Sequence, residues 1–107
     1  MVSRINLHDD DNSELHCMII HKDKDENTPI MCHPDKDMAF ILIEGKMDIE
    51  YFDEQGKKIT LGEFAAGITY VCLIRKGQYY KMIPKTYVTY IEVNKGPFIK
   101  KTHNKYI

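Results

Sequence analysis

The stretch MCHPDKDMAFILIEG, Met31 through Gly45, decides how this chain is read. His33 precedes Pro34 and a charged turn, Asp35-Lys36-Asp37. The apolar run Met38-Ala39-Phe40-Ile41-Leu42-Ile43 comes next and stops at Glu44-Gly45. The frame reads as strand, turn and strand, with one histidine placed to bear on a ligand. A metal site uses more than one such group. The stretch therefore asks whether a metal is held here and, if not, what the site does instead.

Outward from it the pattern is β throughout. Lys46-Met47-Asp48-Ile49-Glu50-Tyr51 alternates apolar and charged residues, as a half-buried strand does. Asp53-Glu54-Gln55-Gly56 predicts a hairpin turn, and residues 57–61 a short returning strand. Residues 68–74 form an apolar, β-branched run closed by the turn Arg75-Lys76-Gly77-Gln78. Residues 79–83 read as another strand, broken by Pro84-Lys85, and residues 86–93 as a long final one. Turn signals recur about every 8–12 residues, which points to a sandwich or barrel and not to alternating β and α units. Residues 12–20 are open between a helix capped by Asn12 or Ser13 and a strand. The residues after Gly96-Pro97 read as an irregular tail.

A chain of 107 residues is expected to form one domain. Such a chain buries roughly two thirds of its unfolded surface, enough for a core without staples. No run of apolar residues is long enough for a membrane span. The start MVSRINLHDDD lacks the apolar segment of a signal peptide, so a cytoplasmic location is expected. Cys17, Cys32 and Cys72 form no CxxC pair and read as small core residues in a reducing compartment. The net charge of −1 argues against nucleic-acid and membrane-surface partners. Residues 1–30 carry seven acids against three bases, and residues 94–107 carry four lysines and no acid. Both ends read as solvated. No P-loop, GxGxxG or Ser-His-Asp order is present.

Four pieces of the chain together carry a resemblance. They are Arg4-x-Asn6-Leu7-His8; His33-Pro34-x-Lys36-x-x-x-Phe40-x-x-x-x-Gly45; Phe52-Asp53-x-x-Gly56; and Glu92-Val93-x-Lys95-Gly96-Pro97-Phe98. In this order and spacing the chain resembles the small cupins of the WbuC family, from about Arg4 to Phe98. The resemblance implies an all-β fold, the double-stranded jelly-roll barrel, in one small domain. Within residues 1–107 it sets an N-terminal arm at 1–28, a barrel core at 29–94 and a tail at 95–107. It also implies a link to surface-polysaccharide biosynthesis.

Cupins of this kind hold a divalent metal with an HxH pair, a glutamate and a third histidine. Carried over position by position, those places hold Met31, His33, Met38 and Tyr80 here. Thioethers and a phenol are poor ligands for zinc, manganese, iron or nickel. The expectation is a cupin that has lost its metal and has no cofactor. A trio of Met31, His33 and Met38 would suit only copper(I), which accepts thioethers.

The strands so placed turn Met31, His33, Met38, Tyr80 and Met82 toward a common interior. That gives an apolar cavity with one imidazole and one phenol, and a small-molecule site is built in this way. The alternative is that His33 and Tyr80 bond each other and plug the barrel. In one functional reading the protein is a metal-independent sugar isomerase or epimerase. His33 is then the base, Tyr80 the acid, and Lys36, Arg75 or Lys76 meets the phosphate of a sugar nucleotide. In the other it is a non-catalytic cupin that binds a small molecule or serves as a dimeric scaffold. A homodimer is expected, with residues 86–93, including Tyr87 and Tyr90, at the seam. Glu92, a lone carboxylate in an apolar strand, is read as pairing with Lys95 or Arg4, or as acting in the pocket. His8 is read as surface or pocket mouth, and His21 as exposed.

Overall fold

The computed structural model describes residues 2–96 and 105–107. Among these residues ten strands run in chain order: β1 (Ser3–Asn6), β2 (Leu15–Lys22), β3 (Met31–Cys32), β4 (Met38–Glu44), β5 (Lys46–Phe52), β6 (Lys58–Ala65), β7 (Val71–Ile74), β8 (Tyr79–Pro84), β9 (Val88–Lys95) and β10 (Lys105–Tyr106). They form two five-stranded antiparallel sheets, ordered β1-β2-β9-β4-β7 and β10-β3-β8-β5-β6. Among the described residues no helix is long and apolar enough to cross a membrane.

Alternation along each strand decides what lies between the sheets. In β2, His16, Met18, Ile20 and Lys22 are buried and the residues between them are half-buried. Met38, Phe40 and Leu42 of β4, Met47 and Ile49 of β5, Tyr80 and Met82 of β8, and Val88 and Tyr90 of β9 complete one apolar cluster. Phe40 is its hub, edge-on to Tyr90 at 5.9 Å and to Phe64 at 5.4 Å. Full burial of a side chain of this size contributes about 1.5–3 kcal/mol.

Turn chemistry fixes the connections. Asp53 caps the β5–β6 hairpin by accepting from the N–H groups of Gln55 and Lys57 at 2.9 Å, and Gly56 takes the left-handed position at φ 83°. Gly45 joins β4 to β5 at φ 90°, where an added Cβ would strike the Tyr87 carbonyl. β4 carries a register shift between Leu42 and Glu44, so Glu44 and not Ile43 stands opposite Thr89.

The structure corrects several expected boundaries. Residues 12–20 hold no helix: β2 begins at Leu15 and pairs with β9 along its whole length. Residues 3–22, read as an arm, thus supply two strands of the first sheet. β6 runs on to Ala65, while Ile68 lies in a turn and is 80% exposed. Apolar character there belongs to the surface and not to a strand interior. Within the tail, Lys105–Tyr106 pairs with Met31–Cys32. Pro97 and Phe98 of the family frame lie outside the described residues. Tyr90, placed at a dimer seam from the sequence, is 1% exposed and points into the core.

Candidate functional site

Three registers on the inner face of the first sheet assemble a cavity. Asn6 stands opposite Met18, Met18 opposite Glu92, and Glu92 opposite Phe40. Arg4 lies in the next row on one side, opposite Ile20, and His16 in the next row on the other side, opposite Asn94. The cavity measures about 300 Å³ and is walled by Arg4, Asn6, His16, Met31, His33 and Glu92, with His8, Asp11, Met18 and Asn94 completing it among the described residues.

His33 lies just past the end of β3 and is 5% exposed. Its carbonyl accepts from the Gly77 N–H at 2.9 Å, which ties it to the β7–β8 turn, where Gly77 has φ 79°. Its Nε2 lies 2.7 Å from the Tyr80 hydroxyl. Burial, and after it the negative charge of Glu92, pushes the Tyr80 phenol well above its ordinary value. The hydroxyl therefore keeps its proton at any physiological pH. When it donates to Nε2, the imidazole must be neutral at that nitrogen.

Glu92 is the electrostatic centre of the cavity. Its Oε2 accepts from Asn94 Nδ2 at 3.2 Å, and Lys36 Nζ donates to Asn94 Oδ1 at 3.4 Å and to the Lys95 carbonyl at 2.8 Å. Burial lowers the Lys36 ammonium, and the charge of Glu92 pulls the other way. Lys22 is 7% exposed, with Nζ 5.8 Å from the centre of the Tyr90 ring. Burial is the main cause of its lowered pKa, again opposed by Glu92.

Two imidazoles also line the cavity. His8 and His16 stack with ring centres 4.0 Å apart. His8 Nδ1 accepts from the Cys17 N–H at 3.1 Å, and His16 Nε2 lies 3.2 Å from the Asp11 carbonyl, which can only accept. Gly96 backs this wall so closely that an added Cβ would meet the Ser13 carbonyl and the His16 ring.

Of the site residues read from the sequence, His33, Met31 and Glu92 line the cavity. Tyr80 reaches it through His33, and Lys36 through Asn94. Met38 and Met82 are buried in the core cluster, where Met82 receives the Tyr90 hydroxyl on sulfur at 3.8 Å. Arg75 is exposed, pairs with Asp37 at 3.9 Å and does not line the cavity. Sequence reasoning placed none of Arg4, Asn6, Asp11, His16, Met18 and Asn94 in the cavity; Arg4 and Asn6 were noted only in the family frame, and Arg4 as a partner for Glu92. The polar-apolar-polar order of Arg4-Ile5-Asn6 was the available signal, since it turns both polar side chains to one face of a strand.

The donors fit a metal poorly. The four places to which the resemblance assigns ligands, Met31, His33, Met38 and Tyr80, hold two thioethers, one imidazole and a phenol. Among the described residues no group of three or more His, Cys, Asp or Glu can hold a metal ion. Met38 is fully buried in the core and does not join Met31 and His33 on the cavity wall.

Two antiparallel sheets around one core, with a polar pocket lined from the first, fit the cupin fold, which solved structures of the same shape share. Two structures of CapF match this chain. One carries the inhibitor 3-isopropenyl-tropolone (12% identity, TM-score 0.81, 97% of this chain and 31% of CapF). The other is the capsular polysaccharide assembling protein CapF from Staphylococcus aureus (13% identity, TM-score 0.77, 98% of this chain and 34% of CapF). The cupin domain of Schizosaccharomyces pombe Cnp3 matches at 13% identity and TM-score 0.71, over 89% of this chain and 64% of that one. The chain spans about a third of the CapF structures it matches. No family model matches it, and no curated protein does.

Proposed function

We propose that this protein is a WbuC-like, metal-poor cupin whose cavity binds a sugar, free or as part of a sugar nucleotide, in the service of surface-polysaccharide metabolism. One observation carries the reading. Arg4, Asn6, His16, Glu92 and Asn94 converge on a cavity with a methionine wall. Dense donors and acceptors beside a small apolar surface suit a polyhydroxylated ring. A volume of about 300 Å³ lies at the small end of ligand pockets, roughly 300–1,000 Å³. It accommodates one sugar ring, and a nucleotide would extend past the mouth. The likeness to a capsular polysaccharide assembling protein supports the pathway assignment.

The test is a thermal-shift panel of monosaccharides and sugar nucleotides. A ligand that raises Tm in the parent protein and not in Glu92→Gln supports the proposal. Failure of every sugar to shift Tm would sink it. Metal analysis of protein purified without a histidine tag tests the other half, since stoichiometric zinc, manganese, iron or nickel is incompatible with it.

A second reading rests on the His33–Tyr80 bond. An imidazole on the cavity wall, hydrogen-bonded at Nε2 to a protonated phenol, has the parts for proton transfer beside a carbonyl. In that reading the protein is a metal-independent isomerase or epimerase. Deuterium uptake from D2O into the bound sugar, abolished in His33→Ala, distinguishes it from binding alone.

A further inference from the structure

Charge is spread unevenly over the cavity. Two carboxylates line it, Glu92 half-buried and Asp11 exposed. Glu92 is held in place by an amide that is itself held. Asn94, 4% exposed, donates from Nδ2 to Glu92 Oε2 at 3.2 Å and accepts at Oδ1 from Lys36 Nζ at 3.4 Å. An ionised carboxylate offers about four lone-pair positions. Among the described residues Glu92 uses one of them. The others are open to hydroxyl protons, and two neighbouring hydroxyls of a sugar ring supply a matching pair.

Arg4 is the one guanidinium or ammonium group on the wall among the described residues, and it is exposed. The ion pairs among those residues join Lys58 to Glu50, Arg75 to Asp37 and Lys85 to Asp48, and Arg4 takes part in none. Its charge still acts inward. It opposes the rise of the Tyr90 phenol and adds to the fall of the Lys22 ammonium. Arg4 on β1 and Glu92 on β9 stand two strands and one row apart. With strands about 4.8 Å apart and rows about 6.8 Å apart, their Cα atoms are separated by roughly 12 Å. The two charges do not neutralise each other, and a ring with a charged substituent can span them.

The sign of that substituent follows from the bases nearby. Arg4, together with Lys22 and Lys36, which both feel the charge of Glu92, stands against Glu92 and Asp11. A neutral sugar that covered Arg4 would strip water from a guanidinium and return no counter-charge, which is unfavourable. An anionic group returns a charge-assisted, two-pronged bond. Turned the other way, that group would meet Glu92 and be repelled, so one orientation is permitted.

We propose, resting on the sugar reading above, that the cavity selects an anionic sugar, with its ring hydroxyls on Glu92 and its carboxylate or phosphate on Arg4. The sequence offered Lys36, Arg75 and Lys76 for the anion. Lys36 is instead engaged with Asn94 and the Lys95 carbonyl, and Arg75 with Asp37.

Isothermal titration calorimetry of the full chain at low ionic strength tests this. The probes are glucose, galactose and mannose, each as the neutral sugar, the uronate and the 1-phosphate, with inorganic phosphate beside them. In at least one series the uronate or the 1-phosphate is expected to bind at least about tenfold tighter than the neutral sugar, as one charge-assisted bond provides. Which anion binds tells a carboxylate ligand from a phosphate one. Arg4→Gln is expected to erase the preference and, at an exposed position, to keep the parent Tm. Arg75→Gln removes the same charge away from the cavity and is expected to keep the preference. Neutral sugars that bind as tightly as their anions overturn the inference and leave the sugar reading standing. Inorganic phosphate as tight as the hexose phosphates overturns it too, because ring and Glu92 would then add nothing. So does a preference that survives Arg4→Gln, or one lost equally in Arg75→Gln. Binding of no probe also overturns it, whereas the sugar reading falls only if its wider panel fails as well.

Discussion

Removing the Tyr80 hydroxyl, and nothing else, tests the centre of the site. The bond to His33 Nε2 is 2.7 Å long and joins side chains 1% and 5% exposed. A neutral hydrogen bond contributes about 0.5–1.5 kcal/mol net, and a buried group deprived of its partner costs about 1–3 kcal/mol. His33 borders the cavity, so water can replace part of what is lost, and Tyr80→Phe is expected to cost about 1–2 kcal/mol. For a domain of about this size each kcal/mol lowers Tm by roughly 4–8 °C. The sharper assay is a double-mutant cycle with His33→Ala, read out by urea unfolding. Once the imidazole is gone, the hydroxyl faces only the space it leaves, and Tyr80→Phe should then cost less than about 0.5 kcal/mol. The cycle should return a coupling of about 1 kcal/mol. If the two changes add within about 0.3–0.5 kcal/mol, the scatter of independent sites, the hydroxyl and imidazole are neighbours without a working bond, and the case for a proton-transfer pair fails.

Alkali should destabilise the fold through Tyr80 and Tyr90, whose phenols burial holds well above their ordinary range. The unfolded chain releases those protons near pH 10 and the folded one does not. The contribution of these two phenols is therefore flat below about pH 10 and falls above it, by up to about 1.4 kcal/mol per pH unit for each tyrosine. Lys22 opposes this only up to its ordinary value of 10.5, so denaturant melts above about pH 10.5 should show the fall, with a shallower slope in Tyr80→Phe. Gly45→Ala should cost about 2–4 kcal/mol, because it combines a left-handed backbone with a Cβ 2.6 Å from Thr86 Oγ1 and a collision with the Tyr87 carbonyl. Gly56→Ala, with a similar φ but nothing nearer than 3.4 Å, should cost only about 1–2 kcal/mol, a contrast that thermal melts resolve. Gly96→Ala should displace His16, seen as changed imidazole signals in NMR, and weaken any sugar that binds the cavity.

Legibility in the sequence depended on where each strand's two faces point. β5 was legible because its outward residues are charged, so Asp48 and Glu50 mark the alternation. β2 was ambiguous because Cys17 and Ile19 on its outer face are as apolar as Met18 and Ile20 on the inner one. With no polar face, the period that separates strand from helix disappears. His33 and Tyr80 were legible because the spacing around them fitted a known frame. Arg4, His16 and Asn94 were not, since they meet through the pairing of β1 with β2 and β2 with β9, and a linear sequence does not display its strand partners. The bulge at Leu42–Glu44 was hidden for the same reason.

The sheltered amine of Lys22 has a practical use. Most of the described lysines lie open to solvent and would be acylated at once by an amine-reactive reagent, whereas this one is buried with its amine 5.8 Å from the centre of the Tyr90 ring. Its modification must wait for the barrel to part. Mass spectrometry of that single peptide over time would therefore clock the opening of the fold, and slower labelling in the presence of a sugar would report occupancy without any knowledge of the reaction.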